Sequence, residues 1–395
     1  MRLRLHRDLT ILLIAVFLIA AAEESWWRFV PLYLRSLGAP IAGIAAYGAF
    51  SDFLDAVYQL PGGVFAATAG YRRALTAFNV LAIAGYLTFA IATRWWVLLL
   101  ALPLVMSWRS FSLPATFSMI ADAMPSGERS LGFAYQSIVR RIPLAVAPAI
   151  GGVILTAIGL AHGMRILLLA GAAVGTCALL LQMRYRLMPP PPPALTRLFK
   201  EVAHLDYRLK RLLFADILVR FGQGIGEVFI VIYVIGVVRE PPSTFGWLVA
   251  VAMLTSLFLY IPVARIADRY GRGIWIALTY AFFALFPLVL GIANSPWMLV
   301  VAFLLMGLRE IGEPARKSLI LDLARTDRQS VDVGAYYLVR GLAVFPASFA
   351  GGALWRISPQ TTFFGAALLA AAGTIYFVVS TSWGHGLKTG AVGGD

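Results

Sequence analysis

The chain has 395 residues, 60% of them hydrophobic and only 13% charged, and its mean hydropathy is +0.81. That balance lies well outside the soluble range and leaves too little polar surface to enclose buried helices in water. The net charge of +14 sits in loops between apolar stretches, which assigns it to membrane topology and anionic lipid and excludes a nucleic-acid partner.

A bilayer core takes about 20 residues of helix to cross. Twelve stretches meet that length, near 9–35, 41–67, 74–93, 95–121, 130–159, 163–187, 211–238, 243–267, 273–293, 296–322, 331–356 and 361–383. The first follows Arg2, Arg4 and Arg7 as a signal peptide would. It is too long for one, carries Glu23, Glu24 and Trp26-Trp27-Arg28, and lacks a small-residue cleavage pattern, so it is expected to be retained. Arg72 and Arg73 follow the second stretch, Glu128 and Arg129 the fourth, and Arg265, Arg269 and Arg272 the eighth. Arg184, Arg186, Arg197, Lys200, Arg208, Lys210 and Arg211 crowd the middle of the chain. Twelve crossings put all these loops on one side, and the opposite loops carry mostly single basic residues such as Arg35, Arg94, Arg165 and Arg239. Both termini and the central linker are therefore expected in the cytoplasm.

Met188 is followed by the five prolines 189–193, which cannot continue a helix, so a first bundle is expected over 1–187 and a basic linker over 188–210. A second bundle follows over 211–383, and 384–395 reads as a disordered tail. Cys177 is alone, which excludes a disulfide framework and a thiolate metal site. His6, His162, His204 and His385 all fall in loops or tails, and no Walker-type loop is present, so neither a membrane enzyme nor a nucleotide-driven pump is supported. No metal or cofactor is expected.

The two bundles repeat each other. MSWRSFSLPATFSMIAD at 106–122 aligns without a gap on MGLREIGEPARKSLILD at 306–322, pairing Arg109 with Arg309, Pro114 with Pro314 and Asp122 with Asp322. The same offset of 200 pairs Val139-Arg140 with Val339-Arg340 and Gly151-Gly152 with Gly351-Gly352. Charges kept twice inside apolar segments are costly and usually functional. A duplicated bundle holding them looks like a transporter.

The loop after the eighth stretch reads Ala264-Arg265-Ile266-Ala267-Asp268-Arg269-Tyr270-Gly271-Arg272. With the duplication and the central linker, this run resembles the signature Gly-x-x-x-Asp-Arg-x-Gly-Arg of the major facilitator superfamily, and the resemblance covers 9–383. The first half keeps only Gly63, Gly70, Arg72 and Arg73, with Ala67 and Thr68 where the Asp-Arg pair is expected. Arg109 resembles the helix-4 arginine of proton-coupled drug exporters, although Ser112-Leu113 replaces the accompanying Gln-Gly. Ala147-Pro148-Ala149-Ile150-Gly151-Gly152 resembles the helix-5 antiporter run, and close helix packing explains its glycines as well.

The resemblance implies an all-α membrane fold of two six-helix bundles whose helices 1, 4, 7 and 10 line a cavity. In this chain those helices carry Glu23, Glu24, Arg109, Glu227, Arg309, Glu310 and Glu313, the candidates for substrate binding and proton coupling. Asp52, Asp55, Arg140, Arg220 and Arg340 are expected to support them in a polar network, since lone charges at such depth would each cost several kcal/mol. Adjacent Glu23 and Glu24 diverge by about 100° on a helix, so one of them at most should point squarely into a cavity. A carboxyl drawn into low dielectric can carry a proton, whereas an arginine stays charged and binds an anion or swaps carboxylate partners. Asp268, Arg269, Arg272, Asp122 and Asp322 are expected to form a cytoplasmic gate. The expected function is proton-coupled export of a small amphiphilic or anionic compound by a monomer in the plasma membrane, the inner membrane if bacterial, with lipid and protons as its other partners. Uptake of a small metabolite and lipid translocation are the alternatives.

Overall fold

A computed structural model describes residues 2–112, 115–116, 119–120, 129–186, 205–270, 272–325 and 329–382. Asp122, the proline run with most of the linker, and the tail from 383 lie outside them, as do the side chains of Asp268 and Arg269. Among the described residues every regular element is helical. Nine helices among the described residues are long and apolar enough to cross a membrane.

The first half runs α1 (Arg2–Trp26), a short 3-10 turn (Trp27–Phe29), α2 (Val30–Ser36), α3 (Ile41–Ala69), α4 (Tyr71–Ile91) and α5 (Trp95–Met106). A π turn (Ser107–Phe111) follows, then α6 (Arg129–Ile158) and α7 (Leu160–Gln182). The second half runs α8 (Tyr207–Gly226), a 3-10 turn (Glu227–Phe229), α9 (Ile230–Ile232), a π turn (Tyr233–Val237), α10 (Pro242–Tyr270), α11 (Arg272–Ile292) and α12 (Pro296–Leu308). It ends in α13 (Glu313–Leu323), α14 (Gln329–Val344), α15 (Ala347–Ile357) and α16 (Pro359–Ser382). The expected segments 296–322 and 331–356 are each broken in two. Gly312 with Pro314, and Pro346, interrupt the backbone ladder at those points.

The chain divides into two compact units, Met1–Leu195 with Val231–Ala250, and Thr196–Ile230 with Val251–Asp395. Within the first unit α1 packs on α6 and α7, and α4 on α5 and α7; within the second α8 packs on α15 and α16, and α11 on α12 and α16. The same set of helix pairs is thus built twice. The close approaches repeat as well, because a Cβ on Gly151 would strike the Ser25 carbonyl oxygen and one on Gly351 the Ile225 carbonyl oxygen. Only glycine lets the two backbones meet so closely.

Burial sets the register of the repeat. Leu12/Leu212, Ala15/Ala215, Ile19/Val219, Phe29/Phe229 and Tyr33/Tyr233 are all buried, which fixes an offset of 200 through α1 and α8. Leu75/Ile276, Phe89/Leu290, Leu98/Leu299, Ala101/Ala302 and Val105/Met306 are buried at an offset of 201. Ala115/Ala315, Ile120/Ile320 and Ala147/Ala347 return to 200. A π turn holds one residue more than an α turn. The extra residue of the second half falls at the Tyr233–Val237 π turn, and that of the first half at the Ser107–Phe111 π turn. The ungapped alignment is corrected on this point, since the structural partner of Met306 is Val105. The 201 register also pairs Gly38 with Arg239, and both turn with positive φ, +85° and +68°.

Candidate functional site

In the first unit the 3-10 turn at Trp27–Phe29 ends α1 just beyond its two glutamates, and the π turn presents Arg109 to them. Arg109 Nη1 donates to Glu24 Oε1 at 3.0 Å and lies 3.9 Å from Glu23 Oε2. Tyr86 donates its hydroxyl hydrogen to Glu23, and Arg28 Nε stands 3.8 Å from Glu24 Oε2. The Arg109 guanidinium also stacks 4.8 Å over the Trp27 ring. Beside it Ser110 Oγ donates to Asp55 Oδ1 at 2.8 Å. Asp52 is part-buried and engaged on the same helix as Asp55. Both glutamates are buried and both line one cavity of about 40 Å³ together with Val16, Ala20, Arg109, Ser112, Thr116 and Arg140. The cavity has room for a few water molecules, each needing roughly 15 Å³.

The second unit builds a denser cluster. Asp216 is fully buried and accepts from Arg316 Nη1 at 2.6 Å, Tyr336 Oη at 3.0 Å, Arg340 Nη1 at 3.1 Å and Tyr280 Oη at 3.3 Å. Arg220 Nε lies 3.7 Å from the same carboxylate and its far nitrogen donates to Glu313. Glu313 also accepts from Arg316 at 2.7 Å and 3.2 Å. Next to this group Arg309 reaches Glu227 at 3.5 Å, with Gln223 bridging Arg220 and Glu227. Phe283 lies beneath both Arg220 and Arg309, at 4.6 Å and 5.3 Å. Glu310 sits in the turn after α12, part-buried and engaged. Arg272 donates to Asp322 near the α10–α11 junction.

Asp216, Arg316, Tyr86, Tyr280 and Tyr336 were not singled out from the sequence. A signal existed for two of them. Asp216 lies four residues before Arg220 inside an apolar segment, the spacing of an ion pair on one helix face, and Arg316 follows Glu313 by three. The tyrosines carried none, because an aromatic in a membrane helix reads as packing until its hydroxyl has a partner.

Two matches to one transporter family cover residues 12–239 and 212–385. The chain belongs to the Major Facilitator Superfamily. It is an integral, multi-pass membrane protein and not an enzyme. It is 29% identical over 126 residues to an uncharacterised transporter of that type from Methanocaldococcus jannaschii, a match spanning 31% of this chain and 32% of the relative. It is 28% identical over 139 residues to the class B tetracycline resistance protein of Escherichia coli, spanning 35% of this chain and 34% of the other. The chain thus matches about a third of the length of each of these relatives. Its fold is similar to the crystal structure of the nucleoside transporter NupG, with TM-score 0.76 and 13% identity over 94% of this chain and 99% of that one. That likeness is one of fold alone.

Proposed function

We propose that this member of the superfamily is a secondary active transporter that exports a small amphiphilic or anionic compound by alternating access, driven by protons. The observation that carries the reading is the buried Glu23–Glu24 pair held on one arginine beside a cavity. Two acids sharing one guanidinium in low dielectric form a site where a proton can replace the cation as partner. The local resemblance to a tetracycline resistance protein supports export. The nine apolar helices, with Ile41–Ala69, the stretch beginning at Trp95 and the broken pair α12–α13, make the twelve crossings of the proposed topology. Both termini are cytoplasmic in it. Arg272 and Asp322, with Asp268 and Arg269 close to Arg272 in sequence, form its cytoplasmic latch, to which Asp122 is assigned as the first-half counterpart of Asp322.

Proteoliposomes containing the whole chain and a trapped pH-sensitive dye, challenged with tetracycline and with benzoate, test it. A proton flux that appears on adding either compound, saturates, and collapses with an ionophore is expected. Compound movement with no linked proton flux would overturn the coupling, and movement of neither would overturn the substrate class.

A further inference from the structure

Each half of the protein gathers two carboxylates and three guanidiniums in one buried cluster. In the second half these are Asp216 and Glu313 with Arg220, Arg316 and Arg340, and every arginine reaches a carboxylate. In the first half Glu23 and Glu24 face Arg28, Arg109 and Arg140. Arg28 and Arg109 are engaged by the glutamates. Arg140, by contrast, makes no hydrogen bond or ion pair among the described residues, although its side chain is part-buried and lines the cavity.

The repeat explains what is missing. At the offset of 200 fixed by burial in α1 and α8, the partner of Arg340 is Asp216, and the residue matching Asp216 is Val16. Ala20 and Thr116 stand where Arg220 and Arg316 stand in the other half. Val16, Ala20, Thr116 and Arg140 all line the first-half cavity, so the space that a carboxylate and two long cations fill in one half is open in the other. The part-buried Arg140 guanidinium feels the charges of Glu24, Glu23 and Asp55 but touches none of them, and its planar fork suits the two oxygens of a carboxylate.

We infer that this cavity is a carboxylate subsite, in which Arg140 receives the carboxylate of a ligand as Arg340 receives that of Asp216. Ser112 and Thr116 line the same cavity, Val16, Ala20 and Leu144 give it an apolar wall, and Glu23 and Glu24, held by Arg109, close its remaining side. The ligand class is therefore a small organic acid with an apolar body, whose head alone enters a space of about 40 Å³. This deepens the transport reading and rests on it only in calling that acid the substrate; the binding site stands on the repeat.

The test is a thermal-unfolding titration of the full chain in lipid nanodiscs at constant ionic strength, with sodium acetate as the probe and acetamide and inorganic phosphate as controls. Acetate should raise Tm saturably and acetamide should not. Arg140→Gln should raise the half-saturating acetate concentration about tenfold or more, the loss of one charge-assisted hydrogen bond. Val16→Asp installs the carboxylate that the second half carries, so it should unfold at higher temperature than the wild type and lose its response to acetate. If that variant does not fold, Arg140→Gln alone decides. Equal acetate responses in the wild type and Arg140→Gln, an equal response to acetamide, or a saturable response to phosphate in place of acetate would each overturn the inference. Loss of acetate binding with proton-linked flux intact sinks the subsite alone, whereas saturable acetate binding without that flux sinks the transport reading alone.

Discussion

Asp216 accepts a 2.6 Å hydrogen bond from Arg316 with both side chains buried, a pairing across 100 residues of chain that ties α8 to α13. Removing one partner of such a pair leaves an uncompensated charge and costs ~3–5 kcal/mol. Asp216→Ala takes a carboxylate from Arg316, Arg220 and Arg340, of which only Arg316 and Arg220 keep Glu313, and should lower Tm sharply in lipid nanodiscs. Glu227 is the contrast, since its bond from Arg309 is 3.5 Å long and its side chain is 36% exposed. Glu227→Gln keeps an amide oxygen as acceptor for the buried Arg309, so it should cost less, about 1 kcal/mol. Similar losses for the two variants would show that burial does not set the strength of these pairs.

The bounds of the apolar helices were legible from hydropathy, because length and composition alone dictate what crosses a bilayer. The breaks at Gly312 and Pro346 and the two π turns were not. Each depends on how one helix seats against another, and Pro61 and Pro262 stay inside unbroken helices while Pro346 ends one. For the site, charge in an apolar segment identified Glu23, Glu24, Arg109, Arg220 and Glu313, which the structure places in two clusters. It could not tell that Asp216 would be the hub of one, since a charge two turns into a helix after a basic linker reads as an interfacial residue. The difference between Arg140 and Arg340 was equally hidden, for it lies in the residues opposite them.

If the π turn at Tyr233–Val237 exists to hold one extra residue, deleting Gly236 should relax it to an α turn and restore the offset of 200. The deletion should fold with a Tm close to wild type. Deleting Leu248 instead rotates the rest of α10 by about 100° and should abolish folding. Equal damage from both deletions, read by size-exclusion profile and Tm, would remove this account of the π turn.

The glycines that face carbonyl oxygens give a third prediction. Gly151→Ala and Gly351→Ala would each drive a methyl into backbone that cannot rotate away, at a cost of about 1–3 kcal/mol. Gly273 has nothing within 4 Å of an added Cβ and lies in a helix, so Gly273→Ala should be neutral or stabilise by about 0.4–1 kcal/mol. Thermal unfolding of the three variants side by side checks it. Tolerance of alanine at both 151 and 351 would mean that the helix pairs α1–α6 and α8–α15 are free to separate.

The last prediction addresses coupling. Glu23 and Glu24 share Arg109 but differ in their other partners, a tyrosine hydroxyl for Glu23 and Arg28 for Glu24. Glu24 is thus flanked by two cations and is the better placed to stay ionised, which leaves Glu23 as the proton carrier. Glu23→Gln should abolish pH-driven transport in proteoliposomes while counterflow of tetracycline or benzoate, whichever proves to be carried, continues. Glu24→Gln frees Arg109 from its 3.0 Å partner and should weaken both modes. Arg109→Lys keeps the charge but loses the planar guanidinium that stacks over Trp27, so it should impair counterflow more than proton movement. Wild-type gradient coupling in the Glu23→Gln/Glu24→Gln double variant would remove both acids from the mechanism and direct attention to Asp52, Asp55, Glu227 and Glu310.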